Sequence, residues 1–272
     1  MIKQERLGLV AALNRSLAEA SGAFIARMDA DDLAHPRRLE LQVAHLSQHP
    51  QVQVVGCLVR SFPRAVLTEG MLRYEHWLNS LLTHEQMMRD LYVESPLAHP
   101  SVMMRSDGLR QAGGYQAAGW AEDYDLWHRL ALLGARFGKV QHYLHWWHER
   151  DDRLSRVDRA YAPGAFRACK VHYLKVSHLA GRESVVIWGA GKEGKALARH
   201  LRRNGIAISQ WIDIDPNKIG RKVLGAPVLP PEALTQDEYL LVAVGAHGAR
   251  ELIRTFLREH SWREPDHYRT LA

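Results

Sequence analysis

Three carboxylates in four positions, Asp29-Ala30-Asp31-Asp32, follow directly on the apolar run Ala23-Phe24-Ile25-Ala26. Like charges this close repel, and burying even one of them unpaired is unfavourable, so the cluster requires full solvation or a compensating cation. Hard oxygens in an Asp-x-Asp pattern suit Mg²⁺ or Mn²⁺, ions that keep several waters and share the rest of their shell with substrate phosphates. The pattern points to a diphosphate held through a cation. An acidic turn ahead of a helix accounts for the same residues: His35-Pro36 reads as a helix start with proline at its first position, where the helix dipole favours negative charge. A second chemical signature lies far along the chain. Gly189-Ala190-Gly191-Lys192-Glu193-Gly194 has the Gly-x-Gly-x-x-Gly spacing that lets a backbone approach a phosphate at a helix N-terminus.

The elements that must position these groups are legible from periodicity. Ala23 to Ala26 reads as a short buried strand that delivers the acidic cluster at its end. Glu122, Asp123 and Asp125 precede Leu126, Trp127, Leu130, Ala131 and Leu133, the pattern of an amphipathic helix with acids in its first turn, ended by Gly134. His99 precedes Pro100, which biases its backbone toward an extended conformation beside the strand Val102-Met103-Met104. There it either lines a site or packs as a core histidine. His142, His145 and His148 recur at intervals of three, a spacing that fits neither one strand face nor a zinc finger, so no three-histidine metal cage is expected. Further on, Ser184 to Trp188 forms a strand leading into the glycine loop, with a helix over Lys195 to Leu201. The next strand, Ile206 to Ile212, ends at Asp213, near the spacing for a carboxylate that accepts ribose hydroxyls. A strand over Tyr239 to Val244 runs into Gly245-Ala246-His247-Gly248 and a helix from about Ala249.

The stretches Gly8 to Asn14, Gly22 to Asp32 and His35 to Glu40 together resemble the middle of a family 2 glycosyltransferase domain. His99-Pro100-Ser101-Val102-Met103, Gly113-Gly114-Tyr115 and Ala121-Glu122-Asp123-Tyr124-Asp125-Leu126-Trp127 follow in the order of that family. The resemblance implies a GT-A fold and a metal-dependent, inverting transfer of sugar from a nucleotide-sugar donor to a hydroxyl acceptor in glycan or polysaccharide synthesis. Carried over position by position, Asp29 and Asp31 fall on the Asp-x-Asp motif for Mg²⁺ or Mn²⁺, with Asp31 the direct ligand and Asp32 its neighbour on the substrate side. Asp123 falls on the base that takes the acceptor proton, with Glu122 as the second choice. His99 would line the acceptor side, and His148 falls where relatives place a residue near the diphosphate or metal. The family's opening strand, helix and acidic second strand have no counterpart before Ile2-Lys3-Gln4-Glu5-Arg6-Leu7-Gly8, so the chain is expected to enter the fold partway. The other reading is a non-catalytic nucleotide-binding module that keeps the GT-A portion as scaffold.

The C-terminal region resembles the small Rossmann-like domain at the N-terminus of bacterial sugar O-acyltransferases. Asp213-Ile214-Asp215-Pro216-Asn217-Lys218-Ile219-Gly220 and Gly225-Ala226-Pro227-Val228-Leu229 carry that likeness. It implies a nucleotide or nucleotide-sugar held at Gly189, Gly191, Gly194 and Asp213. Glycines retained only for tight strand-helix packing explain the same motif without a ligand.

The expected organisation is α/β throughout. A partial GT-A domain spans residues 1–155, a linker and connecting helix 156–181, and a Rossmann-like parallel-sheet domain 182–272. With 272 residues, 46% of them hydrophobic, the chain can bury two cores, and no repeat or low-complexity tract interrupts it. No apolar run is long enough to span a bilayer, and two widely separated cysteines, Cys57 and Cys169, form no disulfide framework, which together suggest the cytoplasm. The net charge of +6 is spread through segments such as Arg199-His200-Leu201-Arg202-Arg203. That distribution argues against a nucleic-acid partner and leaves a basic surface suited to anionic lipid at the inner face of a membrane carrying a lipid-linked acceptor.

Overall fold

The computed structural model describes residues 3–272, and its chain divides into two compact units. The first holds residues up to Leu91 and Ser95–Ala165; the second holds Tyr92–Glu94 and Phe166–Ala272. Residues 1 and 2, where the first expected domain begins, lie outside the described residues.

In the first unit, helix α1 (Leu9–Glu19) precedes strand β1 (Phe24–Ala26), β2 (Leu33–Ala34), helix α2 (Arg38–Gln48) and the long strand β3 (Val52–Phe62). Helices α3 (Glu69–Ser80) and α4 (His84–Asp90), each opened by a threonine N-cap, lead to β4 (Met103–Arg105), α5 (Ser106–Gln111), α6 (Glu122–Leu132) and β5 (Arg136–His148). A short helix, α7 (Leu154–Val157), follows. The sheet order is β1-β4-β3-β5-β2. The central pair β3-β5 is parallel, and the flanking pairings are antiparallel. One consequence governs the site. β1 and β2 are opposite edges of the sheet yet only six residues apart, so Arg27 to Asp32 must cross the ends of the strands between them.

Leu46, Val52, Val55, Cys57, Met103, Val140 and Leu144 form the core between α2 and the sheet. The buried stripe of α2 is Arg38, Gln42 and Leu46, a helical i, i+4, i+8 series in which two members are polar. The helix opens at Arg38 rather than at Pro36, because His35 Nδ1 accepts the Arg37 N–H and closes a turn first. His99 also departs from expectation. It begins a 3-10 turn, His99–Ser101, instead of an extended segment, since the Ser101 amide and hydroxyl both donate to the Ala98 carbonyl. The three histidines at intervals of three lie in β5, where register shifts against β3 leave His142 exposed, His145 fully buried and His148 half-buried.

In the second unit, α8 (Pro163–Val176), belonging to it from Phe166, is followed by β6 (Ser184–Trp188), α9 (Lys192–Arg203), β7 (Ala207–Ile212), β8 (Lys222–Val223), β9 (Ala226–Leu229), β10 (Leu240–Val242), α10 (Ala249–Glu259) and β11 (Tyr268–Thr270). The order is β11-β10-β6-β7-β9-β8, parallel except for the β8-β9 pair. Val186, Trp188, Ile212, Leu240 and Val242 pack with Ile253 and Leu257 of α10. Near-continuous apolar strands buried on both faces are what a parallel sheet demands. Both cysteines are buried and no disulfide joins them, and no helix among the described residues is long and apolar enough to cross a membrane.

Candidate active site

The crossing from β1 to β2 is held from below. Arg38, 2% exposed, donates from Nη2 to the Arg27 carbonyl at 2.7 Å and from Nε to Gln42 Oε1 at 3.1 Å. Its Nη1 faces His145 Nδ1 at 3.2 Å. A guanidinium only donates, so Nδ1 accepts and the His145 proton sits on Nε2, which donates to Asp32 Oδ2 at 2.9 Å. The other oxygen, Asp32 Oδ1, accepts the His148 N–H at 2.7 Å. Arg38, His145 and Asp32 thus form a buried relay that ties the acidic turn to the end of β5. Asp32 is spent on this relay. It shapes the turn from inside, with both carboxylate oxygens bonded.

The two remaining aspartates separate. Asp29 Oδ1 is paired with Arg27 Nη2 at 2.7 Å. Asp31 Oδ2 lies 3.4 Å from both His148 Nδ1 and Arg150 Nε. The His148 contact is close enough for an ion pair but lacks hydrogen-bond alignment, and Nδ1 is enclosed with no hydrogen-bond partner. The His148 ring is fixed by stacking on Phe62 at 4.9 Å. Among the described residues no three His, Cys, Asp or Glu side chains are grouped as a ready-made metal cage. What Asp31 and His148 offer is one hard oxygen and one nitrogen on the same side. Two protein donors fit an ion such as Mg²⁺ or Mn²⁺ that completes its shell with water and phosphate oxygens.

The acids of α6 also sort by environment. Asp125 is buried, accepting from Trp120 Nε1 at 2.8 Å and from Arg129 Nε at 2.7 Å, and is structural. Glu122 is 5% exposed; its Oε2 accepts the Tyr161 hydroxyl at 2.6 Å, and its Oε1 lies 3.7 Å from His99 Nδ1. Asp123 is half-buried at the helix N-terminus, where its Oδ1 accepts the Tyr124 N–H at 2.7 Å. Among the three it is the one that reaches solvent. His99 Nε2 is 2.9 Å from the Tyr115 hydroxyl, and burial, with the Arg27 charge nearby, holds its imidazole well below the ordinary histidine range. Burial also pushes the Tyr115 and Tyr161 phenols up, with Glu122 and Asp123 adding to it and Arg27 opposing. The Arg27 charge thus bears on the acidic turn, through Asp29, and on His99, Tyr115 and Tyr161.

Arg27, Arg38, Tyr115, Arg150 and Tyr161 border these groups without being singled out by the sequence. Three lie inside marked segments: Arg27 in Gly22 to Asp32, Arg38 in His35 to Glu40, and Tyr115 at the end of Gly113-Gly114-Tyr115.

In the second unit the glycines divide. A Cβ on Gly194 would lie 1.8 Å from the Gly189 carbonyl oxygen, and one on Gly189, at φ +113°, would lie 2.8 Å from the Ala243 carbonyl oxygen. Both are required by close backbone packing. Gly191 faces open space. Asp213 Oδ2 accepts the Ala190 N–H of the loop at 2.9 Å and Lys218 Nζ at 3.1 Å, while Oδ1 accepts the Asp215 N–H at 3.0 Å. It props the glycine loop directly.

Residues 1–113 match the family model of glycosyl transferase family 2, and residues 181–258 match that of the CoA binding domain. The chain is thus similar to family 2 glycosyltransferases over its first part and to CoA-binding, Rossmann-like domains over its last. It is 36% identical over 157 residues to a putative glycosyltransferase, EpsE, of Bacillus subtilis, covering 57% of this chain and 53% of the relative. It is 33% identical over 135 residues to the amylovoran biosynthesis glycosyltransferase AmsE of Erwinia amylovora, covering 48% and 47%. Among solved structures it is similar to S. aureus TarS 1-349, at 15% identity and a TM-score of 0.47, over 75% of this chain and 53% of that one. The chain spans about half the length of the curated relatives it matches.

Proposed function

We propose that the first unit is the part of a glycosyltransferase that moves a sugar from a nucleotide-sugar to a hydroxyl acceptor in polysaccharide assembly, by an inverting, metal-assisted displacement. What supports this is the acidic turn after β1, where Asp31 faces His148 and Asp29 pairs with Arg27, in a segment that matches the model of that family. Asp31 and His148 would hold Mg²⁺ or Mn²⁺, which supplies charge stabilisation to the departing nucleoside diphosphate. Asp123 takes the acceptor proton, since Glu122 is enclosed and already bonded to Tyr161. Glu122, with His99 and Tyr115, forms the wall behind it. The relay of Arg38, His145 and Asp32 keeps Asp31 and His148 opposed. The acceptor is a glycan or lipid-linked saccharide.

The second unit is proposed to hold a nucleotide or nucleotide-sugar at Gly191, where the loop is open, with Asp213 shaping that loop.

The test is release of nucleoside diphosphate from UDP- and GDP-sugars by the full chain with Mn²⁺ and lipid-linked saccharide acceptors. Asp123→Asn is expected to lower turnover by at least about 100-fold while leaving donor binding intact, the range for removing a general base. Turnover unaffected by Asp123→Asn overturns the assignment of the base. Metal-independent nucleotide binding with no turnover in any combination favours the non-catalytic reading.

A further inference from the structure

Helix α9 divides its residues sharply by face. Gly194, Leu197, Ala198 and Leu201 are buried, on the side packed against β6 and β7. At about 3.6 residues per turn, Lys192, Lys195, Arg199, Arg202 and Arg203 fall on the opposite side, within an arc of about 100° that contains no acid. All but the half-buried Lys195 are exposed, and among the described residues none of the five forms an ion pair. Glu193, the one acid of the helix, is paired with Arg167 at 3.1 Å. Helix stability does not account for this row. Arg202 and Arg203 complement the negative end of the helix dipole, but Lys192 and Lys195 lie at its positive end, and like charges three and four residues apart repel. An external polyanion would relieve both.

The row continues onto the neighbouring hairpin. Arg202 Nη1 donates to the Leu224 carbonyl at 3.2 Å, at the turn between β8 and β9, beside the exposed Arg221 and Lys222. Leu224 is itself 37% exposed, an apolar side chain set among cations. A bilayer surface uses both features: anionic headgroups take the cations, and the layer beneath them takes the apolar tip. A nucleic acid would use the charge alone, and the α9 face offers no aromatic side chain on which a base could stack.

We propose that α9 and the β8-β9 turn form a face that docks on an anionic phospholipid bilayer. The covalently attached first unit is thereby held at a membrane surface, which raises its effective concentration toward a lipid-linked acceptor. The docking itself does not depend on the transferase reading.

Flotation of the full chain with vesicles tests it, comparing phosphatidylcholine alone with an equimolar mixture of phosphatidylcholine and phosphatidylglycerol. Wild type is expected to bind the anionic vesicles and not the neutral ones. It should be released as NaCl rises from about 0.1 to about 1 M, where the screening length falls from about 10 to about 3 Å. The triple variant Lys195→Gln, Arg199→Gln, Arg203→Gln is expected to bind the anionic vesicles about 100-fold more weakly, at about 5-fold for each charge removed, while keeping the wild-type melting temperature. No binding by wild type, equal binding to both kinds of vesicle, or undiminished binding by the folded variant would overturn the proposal. So would binding to duplex DNA that is tighter than to the anionic vesicles and lost in the same variant, which would reassign the face to nucleic acid.

Discussion

Aspartates 29, 31 and 32 lie within four positions of sequence and have three different environments. Asp29 is paired with Arg27, Asp31 faces His148 and Arg150, and Asp32 is buried against His145. Sequence alone marks the cluster because like charges at this spacing need an explanation. It does not sort the members, since sorting depends on Arg38 and His145, which reach the turn from α2 and β5. Asp32→Asn offers the direct check. The amide keeps one acceptor but turns a donor toward either the His145 Nε2–H or the His148 N–H. The expected loss is about 2–4 kcal/mol of unfolding free energy, as for breaking a buried charged hydrogen-bond pair, read by denaturant unfolding. His145→Gln should lower Mn²⁺-dependent nucleotide affinity more than it lowers the denaturation midpoint, because His145 acts through the orientation of Asp32. Equal affinity in the variant and wild type would make the relay purely structural.

Among elements, the strands and helices with clear period were legible, including β6, α9 and the acidic start of α6. What was not legible has physical causes. The buried face of α2 carries Arg38 and Gln42, so an apolar-periodicity reading places its functional side wrongly. β5 has its histidines split between environments by register shifts against β3, which no local pattern encodes. The Gly-x-Gly-x-x-Gly spacing was correctly tied to strand, turn and helix, yet spacing cannot distinguish packing from binding. Two substitutions separate them. Gly194→Ala is expected to destabilise the second unit by about 3 kcal/mol or more, because its Cβ would meet the Gly189 carbonyl. Gly191→Ala, in open space with φ −86°, is expected to stay within about 1 kcal/mol of wild type by thermal unfolding while altering ligand binding.

At the scale of the whole molecule, buried ionisable groups outside the site make stability depend on pH. Lys139, 4% exposed, donates to the Leu78 carbonyl at 2.6 Å and to the Pro96 carbonyl at 3.4 Å, and burial pushes its ammonium down to about 7 from an ordinary value of 10.5. Above pH 7 the unfolded chain keeps a proton that the folded chain releases, so stability rises with pH from about 7. Cys57 opposes this above about 9, because burial pushes its thiol up to about 11 and the unfolded chain ionises first. The melting temperature of the first unit is therefore expected to climb between pH 7 and 9 and then flatten. Lys139→Met should erase the climb; a climb that persists in the variant would assign it to another group.

The Asp31 carboxylate is central to the proposed chemistry, and calorimetric titration of UDP and GDP into the full chain with and without Mn²⁺ tests it most directly. Tighter binding in Mn²⁺, lost in Asp31→Ala while the variant keeps its wild-type melting temperature, is the predicted result. Binding that ignores the ion, or an ion effect that survives Asp31→Ala, would contradict the assignment of Asp31 and His148 as the seat of the cation.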